Sequence, residues 1–445
     1  LSPQRPHATL ELELRQEQDA PLQGYGDSER ATRLFFMEKM GVLSRLIRHA
    51  FLSEGTTGLK PATLNYDWAL VGLVAVVMLL HLLIIDQPPA SYVFDEAHYV
   101  PAAKCLINGT VCNEEHPPLA KALIALSIQM FGDRGFGWRL PSVLAGSFTL
   151  VLVYLLTRRF TNGGVALLAA FLLGFENLWF VHSSIAMLDI PAFFFAMLGV
   201  YLFTGQRWWL SGLALGIGML AKGVVAMVFI VLVLYVWISQ ERWLSKAALK
   251  ATARVGFSVG IPAALCFLAG LGIYDIVYGA FPSPLHHLAS MASYHRTLGS
   301  PGVSDSVHPL HWFSGFQNSP YFVTSMQVED GSIPRYVLQY LDQPNLVILL
   351  FIWLALPLVW SDIQERHPLA LLAFLLVGVP YLLFILIAHV RVTYPFYMLV
   401  FVPSQCILSA LALSKLPRGA MLTFCVGVLA WFFYGFPRNP LAPWE

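Results

Sequence analysis

Charge is what this chain has little of. Only 12% of its 445 residues are Asp, Glu, Lys or Arg, and 57% are hydrophobic, whereas an ordinary soluble protein carries about 25% charged residues. A water-soluble core cannot absorb that imbalance. Apolar runs of the roughly 20 residues needed to cross a hydrocarbon core of about 30 Å recur along nearly the whole sequence, so the bilayer is the expected solvent. A block of one sign is also missing. The formal net charge is +1 and the basic residues are scattered, which excludes a nucleic-acid partner and a polybasic lipid-surface anchor. Residues 1–66 hold no apolar core of a secretory signal, and there is no clear internal repeat. Of five cysteines, Cys266, Cys406 and Cys425 lie in apolar runs as small hydrophobes. Cys105 and Cys112 flank a polar stretch placed outside the membrane, where an oxidising compartment would permit a disulfide. Asn108-Gly109-Thr110 within it matches a glycosylation sequon, a short pattern that often arises by chance.

Residues 1–66 read as a polar cytoplasmic segment, set aside from function; the sequence opens without methionine, and Met37 or Met40 would serve as a natural start. Residues 67–445 read as one membrane domain. Eleven spans are expected, near 68–85, 140–157, 163–180, 184–203, 208–221, 223–239, 255–274, 344–360, 368–388, 394–413 and 419–435. Arg158-Arg159, Arg207, Arg242 to Arg254, Arg366 and Lys415 with Arg418 fall in short connections on one side, which makes that side cytoplasmic. The other side carries two long loops, about 86–139 and 275–343, rich in Trp, His, Pro and Tyr. Loops of that length in a compact bundle are functional or disordered, and this composition suits folding onto the membrane surface. Leu119 to Met130, entered through Pro117-Pro118, has helical apolar spacing and reads as an interfacial amphipathic helix.

Chemistry-bearing residues concentrate on the loop side. Asp95 and Glu96 follow the first span among apolar neighbours, and desolvation raises a carboxylate's pKa. One of them could act as general base, although a solvated loop charge has the same composition. Glu115, His116 and Lys121 surround a proline-initiated helix start that fixes their direction. Arg139, Lys222 and Arg391 are cations at membrane depth, where unpaired charge is expensive. Converging on one face they would suit a phosphate, and singly they could snorkel to the interface. Asp189 opens the fourth span. The second loop interleaves His286, His287, His295, His308 and His311 with Tyr294, Trp312, Phe313 and Tyr321, which suits a sugar site, a metal site or an interfacial belt.

Set in order, Phe94-Asp95-Glu96-Ala97-His98-Tyr99, His116-Pro117-Pro118-Leu119-Ala120-Lys121, Trp138-Arg139-Leu140-Pro141, Gly216 to Gly223, and Tyr294-His295 with His308 to Phe313 resemble the motifs of the dolichyl-phosphate-mannose protein mannosyltransferases. Ser183 to Asp189 resembles a further family segment but lacks its usual arginine, leaving Asp189 without an assigned partner. Similarity to bacterial aminoarabinose transferases is visible around Leu220-Ala221-Lys222-Gly223. The resemblance covers about residues 68–410. It implies an all-α polytopic membrane protein with a GT-C-type glycosyltransferase fold, about eleven transmembrane helices, and two long external loops carrying interfacial helices. The absence of a large insertion between the seventh and eighth spans favours a prokaryotic, archaeal member.

The resemblance further implies transfer of a sugar, mannose in the protein mannosyltransferases, from polyprenyl (dolichyl) phosphate to a hydroxyl on the external face. Asp95 would be the base and Glu96 its orienting neighbour. Arg139, Asp189, Lys222, Arg391, His116, Lys121 and His295 would bind substrate. No organic cofactor is expected; in the relatives a divalent metal ion is held by an acid before the Pro-Pro pair and a loop histidine, here Glu115 and His308. Expected partners are the lipid-linked donor, a protein or glycan acceptor and the bilayer. A lipid acceptor, or a transporter of lipid-linked anions, are the rivals; the long outer loops and the lack of paired helix interruptions count against transport.

Overall fold

The computed structural model describes residues 65–89, 91–297, 307–314, 320–326 and 335–438. The polar segment expected over 1–66 lies outside them except for its last two residues. Fifteen helices are present among the described residues. α1 (Tyr66–Leu82) starts at Asn65, whose side chain accepts from the Asp67 amide, the ordinary way an orphan helix N–H is satisfied. The first external loop holds α2 (Glu96–Ile107) and α3 (Leu119–Phe131). α3 begins where the proline pair predicts, and Cys105 and Cys112 are joined by a disulfide at the end of α2. Then follow α4 (Gly135–Arg158), α5 (Gly163–Gly174), α6 (Asn177–Ser183), α7 (Asp189–Thr204), α8 (Trp208–Ala221), α9 (Ala226–Ile238) and α10 (Lys246–Tyr278). The second loop carries α11 (Pro284–Thr297), a short 3-10 turn at Pro309–Ser314 and two strands, β1 (Pro320–Met326) and β2 (Arg335–Leu341). α12 (Leu346–Gln364), α13 (Pro368–Ile387), α14 (Val402–Leu413) and α15 (Arg418–Tyr434) close the bundle.

Each of the eleven expected apolar runs carries helix, but not all as straight spans. Among the described residues four helices are long and apolar enough to cross a membrane, α4, α10, α12 and α13; pairing α5 with α6 across their 65° bend gives a fifth. The others are shorter apolar helices packed into the same bundle. The run 163–180 is thus corrected to a broken element. Glu176 breaks it: its carboxylate accepts from the Trp179 amide at 2.7 Å and the Asn345 amide at 2.7 Å. The Asn345 side chain donates in turn to the Phe175 and Val428 carbonyls. Interrupted backbone at membrane depth is tolerable where protein supplies such partners. The run 184–203 begins as helix only at Asp189, because the Ala186 amide is captured by Glu96. The run 394–413 opens with a 3-10 segment, Pro395–Val400.

α10 extends well beyond the expected 255–274, with Lys246, Lys250 and Arg254 in its first turns. Its Phe257, Ile261, Leu265, Ile273, Ile276 and Val277 are exposed; an apolar face without protein cover at this length belongs to lipid. The chain is an integral membrane protein. The antiparallel pairing of β1 with β2 departs from an all-helical reading and returns the chain from the second loop to the cavity described next.

Candidate active site

A cavity of about 750 Å3 opens where the two loops meet the helix ends, within the size range of small-molecule sites. Asp95 lines it. The residue before, Phe94, adopts a left-handed backbone (φ 53°), a conformation costing about 1–3 kcal/mol in a non-glycine residue. Its ring is held against Tyr321 at 4.0 Å and edge-on to Phe396 at 5.6 Å. That turn releases Asp95 into the first position before α2, where its carbonyl accepts the His98 and Tyr99 amides and its side chain is left facing the cavity. Tyr99 approaches the carboxylate at 3.4 Å. Burial raises the Asp95 carboxyl above its ordinary value; the Lys222 and His98 charges oppose the rise and Asp189 adds to it. A carboxylate so placed is a stronger base than one in water.

Glu96 turns the other way. Its oxygens accept from Arg139 Nε and Nη2, each at 2.8 Å, and from the Val93 and Ala186 amides, each at 2.8 Å. Arg139 Nη1 donates to the Ile85 and Gln87 carbonyls. Both side chains are wholly inaccessible and neither lines the cavity. The expectation that Arg139 meets donor phosphate is therefore corrected, since its donors are engaged in closing the loop after α1. Glu96 does not touch the cavity either; it fixes the backbone on which Asp95 stands.

Lys222 and Asp189 reach the cavity together. Lys222 sits in extended backbone between α8 and the Gly223–Val225 turn, and its ammonium lies 2.7 Å from Asp189 Oδ1 and 5.3 Å from the Phe396 ring centroid. The partner that Asp189 lacked in the sequence is thus Lys222. Asp189 Oδ2 has no hydrogen-bond partner among the described residues. Because Lys222 is neutralised locally, it is less free to grip an anion than the sequence suggests.

Arg391 also lines the cavity, donating to His295 Nδ1 at 3.2 Å and to the Tyr397 hydroxyl at 3.1 Å; its Nε is buried without a partner among the described residues. An arginine cannot accept, so His295 must present an unprotonated Nδ1. Burial, then the Arg391 charge, lowers the His295 pKa. His116 lies 5.5 Å from His295, ring to ring, and burial, followed by Lys222 and neighbouring positive groups, lowers it to about 2. Burial favours the neutral form of both imidazoles, and Arg391 shares this region with Lys222, whose ammonium lies 5.6 Å from the Tyr397 ring centroid. Lys121, expected to bind substrate, is buried and donates to the Asn113 and His116 carbonyls. It shapes the loop and does not line the cavity.

Glu115 lines the cavity and accepts from Asn113 Nδ2 at 2.8 Å. His308 lies outside the cavity lining, its Nδ1 accepting from the Leu310 amide and its ring facing His389. No group of three metal-ligating side chains forms among the described residues. Glu115 and His308 are not brought together in the cavity, so the pair the resemblance implies does not form a metal site among the described residues.

Tyr397 and Asp342 line the cavity although no sequence motif pointed to them, and Tyr321 joins them. Tyr397 sits in the Pro395–Val400 turn under Arg391. Tyr321 comes from β1, and Asp342 from the segment between β2 and α12. Only the proximity of Asp342 to the start of the eighth span hinted at a functional position.

A family profile described as dolichyl-phosphate-mannose-protein mannosyltransferase matches residues 115–281. The polyprenol-phosphate-mannose–protein mannosyltransferase of Corynebacterium glutamicum is 26% identical over 80% of this chain and 84% of that protein. In architecture the chain is similar to the Saccharomyces cerevisiae protein O-mannosyltransferase complex Pmt1–Pmt2 bound to its sugar donor (TM-score 0.67, 14% identity, 90% of this chain and 92% of that one). It is also similar to ArnT from Cupriavidus metallidurans bound to undecaprenyl phosphate (TM-score 0.53, 18% identity), covering 81% of this chain and 63% of ArnT. The helical membrane bundle with a loop-roofed cavity is thus the fold of these two solved structures. In sequence the chain is similar to the dolichyl-phosphate-mannose protein mannosyltransferases over part of its length.

Proposed function

We propose that this enzyme transfers a mannosyl residue from a polyprenyl phosphate to a serine or threonine hydroxyl of a protein, with inversion at the anomeric carbon. The observation that carries the reading is one cavity lined by Asp95 and by Arg391 with its partners His295 and Tyr397. Asp95 takes the proton of the acceptor hydroxyl as its oxygen bonds to the anomeric carbon. The bond from that carbon to the phosphate oxygen breaks on the opposite side, and polyprenyl phosphate departs with the electron pair. Arg391 and the Tyr397 hydroxyl stabilise the charge that gathers on the departing phosphate, and fixed donors of this kind act most strongly where water is excluded. Lys222 and Asp189, paired beside Asp95, hold the sugar-facing wall.

The names of the relatives support the donor and the protein acceptor. The Cys105–Cys112 disulfide supports an external, oxidising setting for the loops. Arg391 and His295 sit at helix ends beside the lipid-facing bundle, so a polyprenyl tail can remain in the bilayer while its head group enters. The test is purified protein in lipid nanodiscs given polyprenyl-phosphate [14C]mannose and a Ser/Thr-rich peptide. Label on the peptide, β-eliminable and stoichiometric with released polyprenyl phosphate, is expected. Label passing only to a glycan or lipid acceptor would overturn the protein acceptor, and translocation without bond cleavage would overturn transfer itself.

A further inference from the structure

Asp342 is nearly inaccessible (2%) yet lines the cavity. It follows β2 and precedes the Asn345 cap of α12, so both ends of its short segment are anchored. The Tyr321 hydroxyl and the Phe396 amide lie near its carboxylate and favour its charged form. Tyr321 in turn lies 3.0 Å from His182 Nε2. His182 Nδ1 has no partner among the described residues, so the ring can carry its proton on Nε2 and donate to Tyr321. His182, Tyr321 and Asp342 therefore stand in a row that ends on a carboxylate. The last acceptor, Asp342 Oδ1, is buried and has no hydrogen-bond partner among the described residues.

A buried polar oxygen left unsatisfied costs free energy unless something supplies a donor. Here the surroundings indicate the donor's chemistry. Phe94, Tyr321 and Phe396 pack as aromatic walls beside it, surfaces suited to the C–H faces of a sugar ring. The charged group acting on Asp342 is Asp189, the partner of Lys222, which also lines the cavity. Burial, set against the hydrogen bonds from Tyr321 and Phe396, raises its carboxyl to about 7, so near neutral pH it can accept or donate a hydrogen bond. Sites that hydrogen-bond a substrate hydroxyl with a buried polar group discriminate strongly against the analogue lacking it.

We propose that Asp342, held by Tyr321, is a specificity residue of the transferase: its free oxygen receives one hydroxyl of the donor sugar. This rests on the transfer reading above. The full-length protein is assayed with polyprenyl-phosphate mannose and its four monodeoxy forms (2-, 3-, 4- and 6-deoxy), comparing wild type with Asp342→Ala, Asp342→Asn and Tyr321→Phe. For the natural donor, Asp342→Ala lowers kcat/KM by about 10- to 100-fold. For one deoxy donor, wild type and Asp342→Ala become equal. Asp342→Asn, which keeps an acceptor oxygen, and Tyr321→Phe, which keeps the ring, shift that same donor ratio less. A variant that lowers all five donors by one common factor has only a structural role at this position, and that result overturns the assignment while leaving transfer intact. Wild-type protein inactive with every donor would overturn the transfer reading and this assignment together.

Discussion

Around Glu96 every carboxylate oxygen and the guanidinium of Arg139 are matched by protein partners, and no atom of either side chain meets solvent. One residue earlier, Asp95 makes a single long contact to Tyr99 and faces a cavity in which Asp189, Asp342 and Arg391 each keep a polar atom without a partner among the described residues. Both regions place acids beside cations. They differ in whether the folded chain completes the hydrogen bonding. Where it does, charge fixes the backbone; where it stops short, a substrate can complete it. A sealed pair raises the cost of losing either partner, and an unfinished one keeps groups poised for reaction at some expense to stability.

Three substitutions would break or sharpen this contrast. The largest effect is expected at Arg139→Ala, which leaves the Glu96 charge buried and alone and should cost about 3–5 kcal/mol, seen as a lower melting temperature in detergent and reduced yield. Arg391→Ala should leave melting nearly unchanged and lower kcat/KM for the donor by about 100-fold through lost stabilisation of the departing phosphate. Unchanged turnover would remove Arg391 from that role. The smallest effect is expected at Lys222→Met. The Asp95 carboxyl, already raised by burial, loses the charge that holds it down, so the acid limb of the pH–rate profile should move to higher pH. A limb that stays in place would mean that Asp95 does not set it.

The same pKa shift has a stability consequence of definite sign. A carboxyl raised on folding favours the folded state most below its unfolded pKa, and that stability is lost as pH rises through the folded pKa. Replacing Asp95 by the uncharged, isosteric Asn should therefore hold or raise the melting temperature at neutral pH.

The bundle was largely legible because bilayer-length apolar runs leave few alternatives. Pro117-Pro118 likewise marked the start of α3, and the polar setting of Cys105 and Cys112 their pairing. The site was legible in its parts and not in its partnerships. Nothing local in Phe94-Asp95-Glu96 tells which acid faces the cavity, because that depends on the Ala186 amide and on Arg139, 43 residues away. The break at Glu176 depends on Asn345, 169 residues distant. Lys121 next to His116 reads as a ligand until the loop wraps it. Asp342 owes its place to the β-hairpin, whose strands are too short to stand out beside strong helical signals.

The contrast between neighbours is tested most directly by measuring mannosyl transfer and melting temperature together in Asp95→Asn and Glu96→Gln. Asp95→Asn should fold as wild type, bind donor and lose transfer by about 10³-fold or more, whereas Glu96→Gln should melt lower while the protein that remains folded still turns over. An Asp95→Asn enzyme with near-normal turnover, or a Glu96→Gln enzyme that is stable and inactive, would contradict it.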